Sequence, residues 1–490
     1  MRVAFIVERR APIPLHRQVY DQWRDGILGG RFRRGEQVPS SRELAAALGL
    51  SRASVVSAYE QLIAEGYFEA AAGSGTFVCR QLPDESLQAR RPNTRRAAAP
   101  VDVAASQHAQ RLGAIVRRPA VAPGTIDLSD RSPDVDHFPF RTWRRLAARH
   151  LRGPATAFRR PPDPAGVPQL RAEIAAYLAR SRAVRCTADQ VLVVNGSQQA
   201  LDLCARLLVD PGDVVAVEDP GYPGARQAFT AHGARLRGIT VRADGLAAAD
   251  LPAASRVAFV TPSHQFPGGV SMSLTRRLEL IEWSRANRAV LVEDDYDSEY
   301  RYSGAPLPAL QGLAHGAPVV YLGTFSNATF SGLRIGYVVA PPSLVDLFTR
   351  AKWASDTSTS LLEQLVLADF IKEGHLESHI RRMRRLYGRR RTALVDALQR
   401  AFGDAVEVLG DAAGMHLVAR LPRTPDAARL AAHGVHVRTT GICYLRTPPR
   451  GELLFGFSSV SERGLREGVR RLAAAMAAGS AQRTRRQSSA

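Results

Sequence analysis

Short polar segments follow five apolar runs between residues 191 and 334, and their residue types suit a phosphorylated, planar ligand. Backbone N–H groups at the start of a helix, serine hydroxyls and a guanidinium group can all bind a phosphate. A carboxylate, a phenol and an aromatic face can contact a heteroaromatic ring. The candidate residues are Gly196, Ser197, Gln198, Tyr222, His264, Asp294, Tyr296, Ser326 and Arg334.

Three members of this set are suited to a pyridine ring. Asp294 ends an apolar run, and a buried carboxylate there can keep a ring nitrogen protonated. The phenol of Tyr296 can reach a ring hydroxyl, and Tyr222 can stack on the ring. Taken singly, each feature also fits a plain turn, a solvated acid or a core aromatic residue. Their repetition at the ends of successive strands in one domain favours a ligand site.

The elements that must position these residues are short strands separated by helices. The apolar runs are rich in Val, Leu and Ile, which predicts a mostly parallel sheet covered by helices on both faces. We therefore expect an α/β domain over residues 125–478. The runs are VLVVNG (191–196), DVVAVEDPG (213–221), RVAFVTP (256–262), AVLVEDD (289–295) and VVYLGTF (319–325).

The first 80 residues carry a different pattern. An apolar residue at every fourth position predicts the buried face of a first helix, at Leu15, Val19, Trp23 and Ile27. Ser40 and Glu43 form a capping box that begins a second helix, and Ser51 can cap a third. The third helix is predicted to bury Val55, Val56, Tyr59, Leu62 and Ile63. Its predicted outward residues are Arg52, Ser54, Ser57, Ala58 and Gln61.

Two helices joined by a short turn with a glycine fit a helix-turn-helix, whose second helix enters the major groove of DNA. Two short strands around a tip at Gly73, Ser74 and Gly75 would add a wing. The alternative is a module of three helices used for contacts with other proteins.

The composition supports a polyanionic partner. Lys+Arg 66 exceed Asp+Glu 46 among the 490 residues, a formal net charge of +20, which favours nucleic acid or an anionic membrane surface. No apolar run approaches the ~18 residues of a membrane span, and no signal peptide is recognised. We expect a cytoplasmic protein without a membrane partner. The four cysteines lack CxxC spacing, so no metal site is predicted.

The chain is predicted to divide into four parts. Residues 1–80 form the DNA-binding domain, and 81–124, rich in Arg, Ala and Pro, form a linker. Residues 125–478 form the α/β domain. Residues 479–490 are expected to be a basic, disordered tail.

Both domains resemble known families. The strings PSSRELAAALGLSRASVVSAYEQLIAEGYF and GSGTFV resemble the GntR-type winged helix. The strings TPSHQFP, EDDYDSEYRY, LPALQGL, GTFS and GLRIGY resemble the fold-type I aminotransferases that use pyridoxal phosphate. Together the two resemble the MocR family (GabR-like) of transcription regulators, over nearly the whole chain. The fold class this implies is multidomain, a winged helix followed by an α/β aminotransferase-like domain.

The resemblance implies a role for each candidate residue. Arg42 and Arg52 would contact phosphates and base edges of double-stranded DNA. The other residues implied at the DNA are Ser40, Ser41, Ser54, Ser57, Gly73, Ser74 and Gly75. Asp294 would pair with the pyridine nitrogen, Tyr296 with the ring hydroxyl, and Tyr222 would stack on the ring. The phosphate would be held by Gly196, Ser197, Gln198, Ser326 and Arg334, and His264 is also expected to contact the cofactor.

The chain departs from this family at one position that matters for chemistry. In the family the motif GTFS continues with a lysine, whose amine forms a Schiff base with the cofactor, but here Asn327 follows Ser326. The nitrogen of an amide is delocalised into its carbonyl and is not a competent nucleophile. The position also loses the general base for transamination. The only other lysines are Lys352 and Lys372.

We therefore predict a homodimeric, DNA-binding regulator controlled by an unknown small effector, with an aminotransferase-like domain that is catalytically inactive. Pyridoxal phosphate is expected to bind without a covalent bond, or to have been lost. One alternative is an active enzyme that uses another lysine. Another is a DNA-binding dimer that needs no ligand. An arginine-rich run at 381–391 is interpreted as a helix face or dimer contact, or alternatively as a second contact with the DNA backbone.

Overall fold

The computed structural model describes residues 5–71, 73–83, 103–112, 121–159, 161–304, 308–314, 316–410 and 412–487. The chain divides into two compact units, residues 1–104 and 105–490, and each is described here by itself. None of the helices in the described ranges has the length and hydropathy that crossing a membrane requires. Most of the predicted linker, 84–102 and 113–120, lies outside the described residues.

The described residues of the first unit form three helices and one antiparallel hairpin. The helices are α1 (Leu15–Leu28), α2 (Ser41–Leu48) and α3 (Arg52–Ala64), and the strands are β1 (Phe68–Ala71) and β2 (Gly75–Val78). The Ser40–Glu43 capping box is present, and Ser51 accepts a hydrogen bond from the backbone N–H of Ser54. Both predicted helix starts are therefore confirmed.

The buried face of α3 differs from the prediction most clearly at two residues, and Val56 is only half-buried. Ala58 is fully buried and Ile63 is 38% exposed, whereas the prediction had them reversed. Ala58 lies three residues after Val55 and four before Leu62, so all three share one face of the helix. The remaining core of this unit includes Trp23, Phe32, Tyr59 and Phe68.

The second unit is built on a seven-stranded sheet in which all neighbours are parallel except at one strand. The strands are β4 (Val191–Val194), β5 (Val214–Asp219), β6 (Arg235–Thr240), β7 (Ser255–Val260), β8 (Val290–Asp295), β9 (Val319–Thr324) and β10 (Gly336–Val339). Their order is β4-β10-β9-β8-β7-β5-β6, and only β10 runs antiparallel to its neighbours. Five strands coincide with the predicted runs, whereas β6 and β10 were not predicted.

Helices cover both faces of this sheet. One face packs against α5 (Phe140–Arg152), α6 (Pro168–Arg182), α9 (Leu274–Asn287), α10 (Leu310–Leu313) and α12 (Leu361–Lys372). The other packs against α7 (Ser197–Leu208), α8 (Pro223–Ala231) and α11 (Val345–Asp356). Alternate residues of β9 divide between the two cores, since Val320 joins one while Val319 and Tyr321 join the other.

The C-terminal part of the second unit contains three helices and a second sheet, within the residues that the structure describes. It contains α13 (His375–Phe402), α14 (Ala427–Ala432), α15 (Glu462–Gln487) and a sheet in the order β11-β12-β15-β14. These strands are β11 (Glu407–Leu409), β12 (His416–Arg420), β14 (Arg438–Thr439) and β15 (Glu452–Gly456). Two further short strands, β3 (Ile126–Asp127) and β13 (Val435–His436), pair in parallel.

Two segments expected to lack structure contain helices. Helix α4 (Gln107–Leu112) lies inside the predicted linker, and Arg111 anchors it by donating to the carbonyl of Ala231 at 2.9 Å. Helix α15 continues to Gln487, through most of the predicted tail. Residues 479–487 include three Arg and two Gln, which are good helix formers. The expectation of a structureless linker and tail is therefore wrong for these two segments.

Candidate functional site

A cavity of about 220 Å³ lies where the polar segments after the strands converge. Most of the residues predicted for the ligand site line it, although they come from segments up to 137 positions apart in the chain. They are Ser197, Tyr222, Asp294, Tyr296, Ser326, Asn327 and Arg334.

In one part of the cavity, the start of a helix lies close to an arginine. Helix α7 begins at Ser197, and Gly196 before it has φ +85°. A Cβ at Gly196 would lie 2.6 Å from the Nη2 atom of Arg334, so only glycine fits there. Arg334 itself has φ +53° and donates from Nη2 to the carbonyl of Asn195 at 3.2 Å. The buried hydroxyl of Ser326 has no hydrogen-bond partner among the described atoms. This part of the cavity can receive a phosphate.

A carboxylate behind this part of the cavity fixes the loop. Asp356 accepts hydrogen bonds from the amides of Asn195 at 2.5 Å and Gln199 at 2.9 Å. Its other oxygen accepts from the Nζ of Lys352 at 2.5 Å. The Lys352 side chain is fully buried and lines no part of the cavity, while Lys372 is exposed at the end of α12. Neither lysine is among the described residues that line the cavity.

Asp294 also lines the cavity and is nearly fully buried. Its Oδ1 has no partner among the described atoms. Burial raises the pKa of this carboxyl to about 8, with further contributions from the charges of Asp295, Asp297 and Glu218. The side chain therefore holds a proton near neutral pH until a positively charged group arrives. A protonated pyridine nitrogen is such a group.

Tyr296 is held from behind by a histidine and a carboxylate. Its hydroxyl lies 3.1 Å from the Nδ1 of His264, which in turn lies 3.0 Å from Asp297. His264 is buried behind the cavity wall rather than on it, which corrects its prediction as a direct contact. A Cβ at Gly414 would lie 2.1 Å from the His264 ring, so a glycine admits the ring there.

Three side chains of this network are close enough to share an ion. The possible ligand atoms of His264, Asp297 and His416 lie within 4.8 Å of one another, and all three residues are buried. The Nδ1 of His264 and the carboxylate of Asp297 already satisfy each other, so hydrogen bonding accounts for their arrangement. The prediction that the chain has no metal site remains a prediction.

Asn327 occupies the cavity wall at the position that carries lysine in the resembling family. Its Nδ2 donates to the carbonyl of Tyr296 at 2.8 Å, and its own carbonyl accepts from the hydroxyl of Tyr300 at 3.2 Å. The residue is thus fixed by two hydrogen bonds and presents no amine. It acts as a wall residue rather than a nucleophile.

Two features of the site were not expected from the sequence. Gln198 donates to the carbonyl of Gly224 at 3.2 Å and lines a neighbouring chamber instead of the cavity. Arg131 and His416 line the cavity but belong to segments without a recognised motif. Only the fold brings these segments to the strand ends, so spacing along the chain gives no signal for them.

The candidate DNA interface lies on α2, α3 and the hairpin. Arg42 and Arg52 are exposed, as is Ser57, and Gly73, Ser74 and Gly75 form an exposed tip. The hydroxyls of Ser40 and Ser51 cap helices, and that of Ser54 lies 2.8 Å from Ser51. Ser40 and Ser54 therefore have structural roles beside any contact with phosphate, while Ser41 is only partly exposed.

The arginine-rich run of α13 is largely engaged within its own unit. Arg390 forms a buried ion pair with Asp134 at 2.6 Å, and Arg384 donates to the carbonyl of Glu299. Arg382 donates to the carbonyl of His137, and Arg389 pairs with Glu462 at 3.3 Å. These contacts favour the interpretation of a structural helix face over a second DNA contact.

Two family descriptions match the chain. "Bacterial regulatory proteins, gntR family" matches residues 15–78, and "Aminotransferase class I and II" matches residues 124–472. The probable rhizopine catabolism regulatory protein MocR of Rhizobium meliloti is 40% identical over 478 residues, which is 96% of each chain. The chain belongs to the MocR family. The pyridoxine biosynthesis transcriptional regulator PdxR of Corynebacterium glutamicum is 32% identical, over 93% of this chain and 94% of its own.

Solved structures similar to the large unit of this MocR-family chain include aminotransferases. LysN, the α-aminoadipate aminotransferase of Thermus thermophilus, was solved with N-(5'-phosphopyridoxyl)-L-leucine. It is 29% identical with a TM-score of 0.67, over 76% of this chain and 95% of LysN. The kynurenine aminotransferase of Pyrococcus horikoshii is 26% identical with a TM-score of 0.68, over 81% of this chain and 98% of its own. The predicted fold class, a GntR-type winged helix followed by a fold-type I aminotransferase-like domain, is confirmed.

Proposed function

We propose that this protein regulates transcription from the cytoplasm as a homodimer that binds promoter DNA through its winged helices. Its large unit would serve as a sensor that binds pyridoxal phosphate without a covalent bond and does not catalyse transamination. The observation that carries this proposal is Asn327, fixed in the wall of a cavity whose other polar groups suit the cofactor.

The residues of the cavity fit the cofactor at both of its ends. The buried, unpartnered hydroxyl of Ser326 and the guanidinium of Arg334 would hold the phosphate beside the start of α7. The unpartnered Oδ1 of Asp294 would pair with the protonated ring nitrogen. Tyr296 would donate to the ring hydroxyl, and Tyr222 would cover the ring. When bound, the cofactor supplies an aldehyde that condenses with primary amines.

The chain's own residues give no route to turnover. Position 327 has neither a nucleophilic amine nor a base to move the α-proton of an amino acid. The amine of Lys352 is buried and bonded to Asp356, and burial lowers its pKa. The residues of the cavity would therefore bind and orient the cofactor without catalysing transamination.

Effector control would follow from a difference in affinity between two arrangements of the dimer. A ligand that binds both arrangements equally shifts nothing, whereas a tenfold preference shifts the equilibrium by about 1.4 kcal/mol. Two linked winged helices also bind paired DNA half-sites more tightly than one winged helix binds a single half-site. The two-fold dimer that is usual for the aminotransferase fold would link the two winged helices and could exist in two arrangements.

Equilibrium dialysis of the purified full chain against pyridoxal phosphate tests the sensor. We expect saturable uptake of one equivalent per chain, because the cavity offers polar groups to both the phosphate and the ring of the cofactor. Arg334→Gln should bind at least about tenfold more weakly, since a charge-assisted phosphate contact contributes about 1.5–3 kcal/mol. Arg350→Gln, an exposed arginine paired with Asp346, is the matched control and should bind like the wild type.

Uptake that is absent in the wild type, or equal in Arg334→Gln, would contradict the sensor assignment. Absent uptake would leave a DNA-binding dimer whose large unit only brings two winged helices together. The melting temperature of each variant, measured in the absence of cofactor, shows whether a loss of uptake reflects unfolding.

A further inference from the structure

Helix α5 of the large unit carries five arginines and no acidic residue. All five are exposed, and at 3.6 residues per turn they lie within an arc of roughly 140° around the helix axis. On the opposite side Leu146 is fully buried, and Trp143 packs against the core. The helix thus presents one arginine face, about 16 Å long, away from its own core. This face consists of Arg141, Arg144, Arg145, Arg149 and Arg152.

Three arginines of this face have no counterion. Arg145 and Arg149 share two carboxylates, those of Asp369 and Glu373, at N–O distances of 2.6 to 3.8 Å. No hydrogen bond or ion pair with the described residues engages the other three, which are Arg141, Arg144 and Arg152. Small ions of the solvent balance such charges, and a polyanion can replace those ions.

The DNA-binding unit itself has little of the positive charge of the chain. Residues 1–80 contain eleven arginines against eight acidic residues, which leaves a charge of +3, whereas the whole chain carries +20. Contacts with phosphates supply a large part of the affinity of DNA-binding proteins. A basic surface outside the winged helix would therefore add contacts that the winged helix alone offers sparingly.

DNA is the polyanion that the chain brings close to this surface. The winged helix and α5 belong to one chain, so DNA bound by the first is tethered to the second at a high effective concentration. The arginine run of α13 is less available for such a contact, because several of its members are bound within their own unit.

We propose that the arginine face of α5 is a second DNA-binding surface, which contacts the phosphate backbone without reading bases. The inference rests on the proposed function, because it adds a contact to the DNA that the winged helix binds. Guanidinium groups without a fixed partner, on one exposed helix face, suit contacts with phosphates, and such contacts carry no sequence information directly. Loss of this face weakens binding to every sequence alike.

Binding titrations of the purified full chain over a series of salt concentrations test this contact. The probes are a genomic fragment that the wild-type protein enriches and a duplex of unrelated sequence and equal length. The variant combines Arg141→Gln, Arg144→Gln and Arg152→Gln, and glutamine is also a good helix former. Affinity for both probes should fall by the same factor, at least about tenfold at low salt. The slope of log affinity against log salt should become shallower by about 2.7 per chain, which is about 0.9 for each phosphate contact.

A matched control removes the same charge from exposed positions elsewhere on the large unit. It combines Arg237→Gln, Arg256→Gln and Arg350→Gln, and it should keep the wild-type slope. An equal change in both triple variants would show a general effect of net charge and would overturn the inference. An unchanged slope in the α5 variant would overturn it too.

Two further measurements exclude indirect causes. Light scattering reports whether the α5 variant keeps the oligomeric state of the wild type, because a loss of the dimer would assign α5 to a subunit interface and overturn the inference. The melting temperature shows whether the variant folds. Arg52→Ala in the same titrations separates this inference from the proposed function. If Arg52→Ala loses discrimination between the probes while the α5 variant keeps the wild-type slope, only the α5 contact fails.

Discussion

Arg52→Ala is expected to lose specific binding to promoter DNA, with affinity reduced about tenfold to a hundredfold per winged helix. Arg52 is the first residue of α3 and is exposed, while the buried face of that helix is formed by Val55, Ala58 and Leu62. Removing a guanidinium that contacts a base edge or phosphate costs about 1–3 kcal/mol. Alanine is a strong helix former, so the fold is preserved.

A mobility-shift assay at fixed salt measures this effect, using genomic fragments that the wild-type protein enriches. The salt concentration must be held constant because phosphate contacts make affinity strongly salt-dependent. Arg350→Ala, which alters an exposed arginine of the other unit, should bind DNA as tightly as the wild type. Unchanged specific affinity in Arg52→Ala would contradict the assignment of α3 as the recognition helix.

Asn327→Lys is expected to convert the sensor into a protein that binds pyridoxal phosphate covalently. Residue 327 lines the same cavity as Asp294 and Arg334, so a lysine there would bring its amine to the cofactor. The substitution removes the hydrogen bond from Nδ2 to the Tyr296 carbonyl, which costs about 1 kcal/mol of folding stability. Asn327 is half-buried, and partial burial disfavours the charged form of an amine, so the pKa of the new lysine should fall and its nucleophilic fraction should rise.

Covalent binding is measured by the absorbance of the cofactor-loaded protein before and after treatment with borohydride. Asn327→Lys should show a visible band that reduction abolishes, leaving a stable adduct on residue 327. Asn327→Gln lengthens the side chain but keeps the amide, so reduction should convert its bound aldehyde to the alcohol and leave no adduct on the chain. A lysine variant without an adduct after reduction, but with normal uptake of the cofactor, would mean that position 327 does not face the cofactor aldehyde.

Much of the fold was predictable because its determinants are local. The Ser40 capping box and the Ser51 cap depend on three or four consecutive residues, and five strands of the sheet are continuous apolar runs. Strand β10, with only four residues, runs antiparallel to both neighbours. Its pairing is a property of the assembled sheet rather than of its own sequence.

The site was predictable where residues stand at strand ends and unpredictable where they come from other segments. Ser326 and Asp294 follow recognisable apolar runs, and both line the cavity. Arg131 and His416 reach the same cavity through segments that only the tertiary fold brings together. His264 was placed in the correct loop, but its ring turns toward Asp297 behind the wall. Loop position is readable from a sequence, whereas side-chain direction depends on packing.

Reductive trapping of the wild-type chain is the most direct test of the central claim, that this regulator keeps a cofactor cavity without a covalent anchor. The protein is loaded with pyridoxal phosphate, treated with borohydride, digested and mapped by mass spectrometry. We predict saturable uptake before reduction and no cofactor adduct on Lys352 or Lys372 after it. A stoichiometric adduct on either lysine, together with turnover of amino donors, would contradict the account and identify an active enzyme.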